Sequence, residues 1–211
     1  MLAGTDYAAL VPYTPYITAW SGEIDAPASV IQRPGRGIGY ADETLYDRDR
    51  HGVLWLRSPV RQGVGEPQFA RVHPLRQRRA MNRLLCNVCA KPADRSEDGV
   101  LWLVRDFRDD WPGWPESMAV NEPPVCVPCA RRASRMCPAM RKGAIAIRAR
   151  RYPVVGVHGR FYRPTGTPWP EAVDDRNALY GGSVHRWIQA SKLVRGLRDC
   201  TIVPLESLCP E

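Results

Sequence analysis

Two Cys-x-x-Cys pairs, Cys86-Asn87-Val88-Cys89 and Cys126-Val127-Pro128-Cys129, constrain this chain more than any other feature. Such a turn delivers two sulfurs to one ion at little backbone cost, and two turns together close a tetrahedron of thiolates, the ligand set of a structural zinc site. The 36 residues between the pairs hold the strand-like run Gly99 to Val104, a polar Pro-rich loop and a return segment. That order predicts a hairpin separating two sulfur-bearing turns. Seven cysteines without an export signal predict reduced thiols, because disulfide frameworks belong to oxidising compartments. The opening MLAGTDYAAL lacks the basic region and long apolar run of a signal peptide, and no stretch nears the ~18 apolar residues of a membrane span. A cytoplasmic, membrane-free protein is expected.

The second pair opens a helix in this reading, where free N–H groups and the positive end of the dipole favour thiolates. With knuckle, hairpin and helix start in that order, residues 84 to 141 resemble the treble-clef class of zinc fingers. The resemblance implies Zn2+ on Cys86, Cys89, Cys126 and Cys129 and specifies no activity. Cys137, two helical turns beyond Cys129, is expected in a core. Cys200 is expected to pack, and Cys209 falls in a tail.

Periodicity predicts an α+β fold: small β-hairpin units, the zinc-pinned treble-clef-like module, and a C-terminal amphipathic helix. Segments 1–72, 73–151 and 152–211 read as a β-rich N-terminal unit, the zinc module, and a hairpin, helix and strand. Tyr7 to Trp20 suits an edge strand or an extended arm. Ser29 to Tyr40 suits a hairpin turning at Pro34-Gly35-Arg36-Gly37; as a phosphate loop that turn lacks a GK[ST] ending and a following helix. Helices are expected over 73–85 and 130–140, strands over 144–151 and 201–205, and a hairpin over 154–162 turning at His158-Gly159. The longest helix is expected over Ser183 to Arg198, where Val184, Trp187, Ile188, Val194 and Leu197 share a face. Asp47-Arg48 followed by Gly52 to Leu56 recurs 47 residues on as Asp94-Arg95 and Gly99 to Leu103, which reads as a duplicated β unit.

Enzyme patterns do not close. A His-Asn-His nuclease needs a hairpin histidine, and no His lies between 86 and 150. A zinc deaminase needs a Glu two residues after its first ligand and a Pro directly before the second pair; Pro124 sits one position too early. Four protein thiolates leave no open position for water, so the expected metal is architectural. His51, His73, His158 and His185 are scattered, and the acidic residues of 97–110 read as a solvated loop.

Arg outnumbers Lys 27 to 3, a bias resembling that of Arg-rich proteins of actinobacteria or their phages. Its placement is more telling: residues 71–151 carry 17 basic and 8 acidic groups, while the flanking segments nearly balance. Arg76, Arg78, Arg79 and Arg83 precede the knuckle, and Arg131, Arg132, Arg135, Arg141 and Lys142 follow the second pair. Gathered by metal, they would offer guanidinium forks to phosphates, which makes nucleic acid the expected partner of a regulatory or accessory protein. The alternative is a protein-binding adaptor gripping its partner through Trp111 and Trp114.

Overall fold

The computed structural model describes residues 13–24, 28–141 and 143–208. Within them lie two α-helices and thirteen β-strands, so the expected α+β layout gives way to a mostly β fold. The strands are β1 (Thr18–Trp20), β2 (Val30–Arg33), β3 (Gly37–Tyr40), β4 (Leu54–Trp55), β5 (Pro67–Val72), β6 (Arg95–Ser96), β7 (Gly99–Arg105), β8 (Ala119–Val120), β9 (Ala144–Arg151), β10 (Val154–Arg163), β11 (Glu171–Leu179), β12 (Ile188–Gly196) and β13 (Arg198–Val203). The helices are α1 (Pro74–Arg83) and α2 (Val127–Met136). The chain forms two compact units, one of residues 1–76 and 156–193, the other of 77–155 and 194–211.

In the first unit the hairpin expected at Pro34 to Gly37 is present as β2 and β3, with Gly35 and Gly37 at φ +70° and +86°, where a side chain is disfavoured. Ile38, Tyr40 and Leu54 make its core. The buried Tyr40 hydroxyl donates to the Trp55 carbonyl at 2.9 Å and accepts from Gln189 Nε2 at 2.8 Å. β1 pairs with β5; the earlier part of the predicted N-terminal arm lies outside the described residues. Glu23 and Arg76 form a buried bidentate pair, both contacts at 2.6 Å, and His73 is enclosed beside them with Nε2 2.9 Å from the Pro59 carbonyl.

Two expectations fail here for one reason, the packing of strands against strands. The segment expected to turn at His158-Gly159 runs straight through as β10, paired with β11. Gly159 serves close approach, since a Cβ on it would sit 2.1 Å from the Gln189 carbonyl oxygen. The C-terminal helix expected over Ser183 to Arg198 is a short 3-10 turn, His185–Trp187, leading into β12. Seven of the nine β12 residues are buried, and a strand covered on both faces shows a run of apolar residues that a helical period also fits. Propensity differs by only a few tenths of a kcal/mol per residue, so strand pairing decides.

The second unit is built on an antiparallel sheet of order β13-β9-β7-β6, with Trp102 opposite Ile147. Alternation sorts β7 between two cores. Val100, Trp102 and Val104 pack with Ile145, Ile147 and Leu197, while Leu101 and Leu103 pack with Cys86, Cys129, Val125 and Ala130. This pairing overturns the treble-clef layout. The long partner of β7 is β9, which follows the second cysteine pair, and no hairpin of two long strands separates the pairs. Both copies of the sequence repeat do fold back locally: Arg48 bridges Leu54, and Arg95 pairs with Val100.

Candidate metal centre

The first pair sits in a tight knuckle directly after α1. The Cys86 N–H donates to the Lys91 carbonyl at 2.7 Å, the Ala90 N–H returns to the Cys86 carbonyl at 3.0 Å, and Ala90 takes a left-handed φ of 59° to close the turn. The second pair lies at the start of α2. Cys126 is its extended N-cap, Pro128 occupies the first turn where a missing N–H costs nothing, and Cys129 follows one residue on. The helix thus begins three residues before the expected Ala130, directly after its N-cap residue Cys126. Two backbone bonds hold these pieces together, Asn87 N–H to the Pro124 carbonyl and Asp94 N–H to the Val125 carbonyl, each at 3.0 Å.

All four sulfurs lie within 4.8 Å of one another, and Cys89 Sγ is 3.7 Å from Cys126 Sγ. A tetrahedron with metal–sulfur bonds of about 2.3 Å needs sulfurs about 3.8 Å apart. The cluster is therefore spaced for one ion, and its donors are the soft ligands that such an ion takes.

Electrostatics point the same way. Burial, the largest influence, pushes the Cys86 thiol up to about 11, although N–H groups of Cys126, Cys89 and Val88 favour its thiolate. Burial drives Cys129 upward as well, and the neighbouring Cys126 sulfur adds to it. At Cys89 burial acts in the same direction but is outweighed by the Lys91 N–H and the adjoining thiols, leaving that thiol below its ordinary value. Four sulfurs this close share protons poorly without a cation, and a divalent ion at their centre favours all four thiolates together. The N–H groups aimed at Cys86 supply the supporting contacts that orient a thiolate on a metal.

The chain matches no protein-family model, no curated protein and no solved structure. Function must be read from this geometry.

The basic residues fall into three groups. Arg76 leaves the nucleic-acid set, because it is 5% exposed with its guanidinium committed to Glu23. Arg148 and Arg150 bind Asp94 and Asp98, so part of the charge surplus is internally neutralised. Arg79, Arg83, Arg132, Arg135 and Arg141 are exposed, and Arg78 and Arg131 are half-buried. Of these, Arg79, Arg83, Arg135 and Arg141 have no acidic partner among the described residues. Lys142 lies outside them, as does Cys209.

Trp114 is corrected: it is 8% exposed and packs with Trp102 and Met118, so it belongs to a core and not to a gripping loop. Trp111 is 37% exposed. All four histidines belong to the first unit, which leaves the cysteine-bearing unit without an imidazole. The sequence reading missed the partners of Arg76 and Arg148; Glu23 is 53 positions from Arg76 and Asp94 is 54 from Arg148, and no local pattern marks such pairs. No helix among the described residues is long and apolar enough to cross a membrane.

Proposed function

We propose that the four thiolates hold one zinc ion as a structural clamp, and that the unit so pinned binds nucleic acid through the exposed arginines of α2. The metal fixes the N-terminus of α2 to the knuckle, and α2 carries Arg131, Arg132 and Arg135 around a shallow groove of about 400 Å³ with Pro128 and Met136. The observation that carries the proposal is the exposure of Arg135 and Arg141 with no carboxylate among the described residues to neutralise them. Arg79 and Arg83 add charge close by: Arg83 is three positions from Cys86, a reach of at most about 11 Å. The metal has no catalytic part in this reading, since four protein ligands leave it no site for water.

Binding to random duplex and single strands at two salt concentrations tests this. Counterion release predicts steep loss of affinity with salt, and an Arg132→Ala, Arg135→Ala double variant should lower the logarithmic salt slope by about 2. A slope unchanged by the substitutions rejects the α2 face as the contact.

One observation favours a protein partner instead. Leu45 and Tyr46 are 96% and 95% exposed in the first unit, on a turn clamped where the Thr44 N–H donates to Asp47 at 2.7 Å. If nucleic-acid binding fails and a Leu45→Ser, Tyr46→Ser variant loses a cellular partner, the adaptor reading replaces the first.

A further inference from the structure

We propose a second site in the cysteine-bearing unit, an open cleft lined by Tyr152, Pro153, Arg150, Arg151, Arg195 and Arg198 that binds a phosphate monoester. The cleft holds about 430 Å³, more than a phosphate group fills.

Arg195 is 8% exposed and faces no carboxylate among the described residues. Its Nε and Nη2 donate to the Met81 carbonyl at 3.2 and 2.8 Å, and its Nη1 to the Tyr152 carbonyl. Three of its five N–H groups are thus used and two remain. Its Cζ also lies 5.5 Å from the Tyr152 ring centre. A buried cation answered by neutral carbonyls and one aromatic face, without a counter-charge, is costly, and an anion in the cleft relieves that cost.

A second observation is independent of the first. The β13–β9 register places Arg198 directly opposite Arg151, and like charges so paired are unfavourable. The nearby carboxylates are already occupied. Asp98 binds Arg150 at 3.0 Å, Asp199 binds Arg151 at 2.5 Å, and Glu116 accepts the N–H groups of Asp199 and Cys200. Their arginines are 59% and 63% exposed, so these pairs hold weakly and yield to a stronger acceptor.

Arginines of β9, β12 and β13 line one cleft, and guanidinium forks suit a tetrahedral oxyanion with several acceptor oxygens better than a planar carboxylate. Tyr152 and Pro153 then supply an apolar wall for whatever the phosphate is attached to. A phosphorylated small molecule and the phosphorylated end of a nucleic acid share this chemistry. The site does not depend on the α2 proposal.

Titration of the purified, metal-loaded protein with inorganic phosphate tests the cleft, with binding read by calorimetry. Arg198→Ala should weaken binding about tenfold to a hundredfold without lowering the melting temperature, as loss of one charge-assisted contact and relief of the Arg151 repulsion predict. Arg195→Met should do the same if it folds, and the Arg132→Ala, Arg135→Ala variant should leave phosphate binding intact. Phosphate affinity that is absent, or unaltered by Arg198→Ala, overturns the proposal. Oligonucleotides of one sequence with a 5′-phosphate or a 5′-hydroxyl separate the sources: tighter binding of the first assigns the site to nucleic-acid ends, and equal binding assigns it to small phosphorylated molecules.

Discussion

Removing the metal should cost the second unit about 4 kcal/mol or more. The figure follows from linkage: an ion that binds only the folded state stabilises it by about 4 kcal/mol when free at a thousand times its dissociation constant, and small four-ligand zinc sites bind far more tightly than that requires. The structure says where the loss falls. The Cys86 to Lys91, Asn87 to Pro124 and Asp94 to Val125 backbone bonds tie the knuckle to the segment entering α2. Without an ion, the buried Cys86 and Cys129 sulfurs are left against two others within 4.8 Å. The unit spans residues 77–155 and 194–211, and for a unit of roughly a hundred residues each kcal/mol moves the melting temperature by about 4–8 °C. Chelation should therefore lower its transition by about 15–30 °C, read by calorimetry. Amides of the knuckle and of the first turn of α2 should lose hydrogen-exchange protection first. Elemental analysis should give one zinc per chain, cobalt substitution should show the bands of a tetrahedral thiolate site, and Cys86→Ser should reproduce the chelated state. A transition that moves only a few degrees on chelation, or metal well below one per chain, refutes the clamp.

In the first unit, Arg76→Met should destabilise by about 3–5 kcal/mol in denaturant melts, because it strands the buried Glu23 carboxylate. Asp47, 7% exposed, has its carboxyl held at about 2 by hydrogen bonds from Arg57, well below its ordinary value. A depressed folded pKa gives stability present above the unfolded value near 4 and lost as pH falls through 2. Asp47→Asn should therefore cost about 2 kcal/mol at neutral pH, and the gap to the unsubstituted protein should narrow as the pH is taken from 4 towards 2; a constant gap counts against the ion pair. Gly159→Ala should cost about 1–3 kcal/mol by forcing apart β10 and β12, where the added carbon meets the Gln189 carbonyl at 2.1 Å. A neutral effect in thermal melts would show that the strands are not so closely packed.

The sequence determined what is local. Sulfurs three residues apart in Cys86/Cys89 and Cys126/Cys129, the Pro-Gly turn of β2–β3, the helical period of α1 and the alternation of β9 each involve neighbours within one or two turns, so residue order alone specifies them. The tertiary structure decided what depends on distant partners. Residues 188–196 form a strand because β10 and β4 pair along its two edges and seven of its nine residues are buried, and β7 pairs with β9 beyond the second cysteine pair. Arg76 is a buried ion-pair partner because Glu23 lies beside it in space and 53 positions away in the chain. A metal-binding turn is encoded in a few consecutive dihedrals. Whether a given arginine meets solvent, a carboxylate or the wall of a cleft is settled by which segments pack around it.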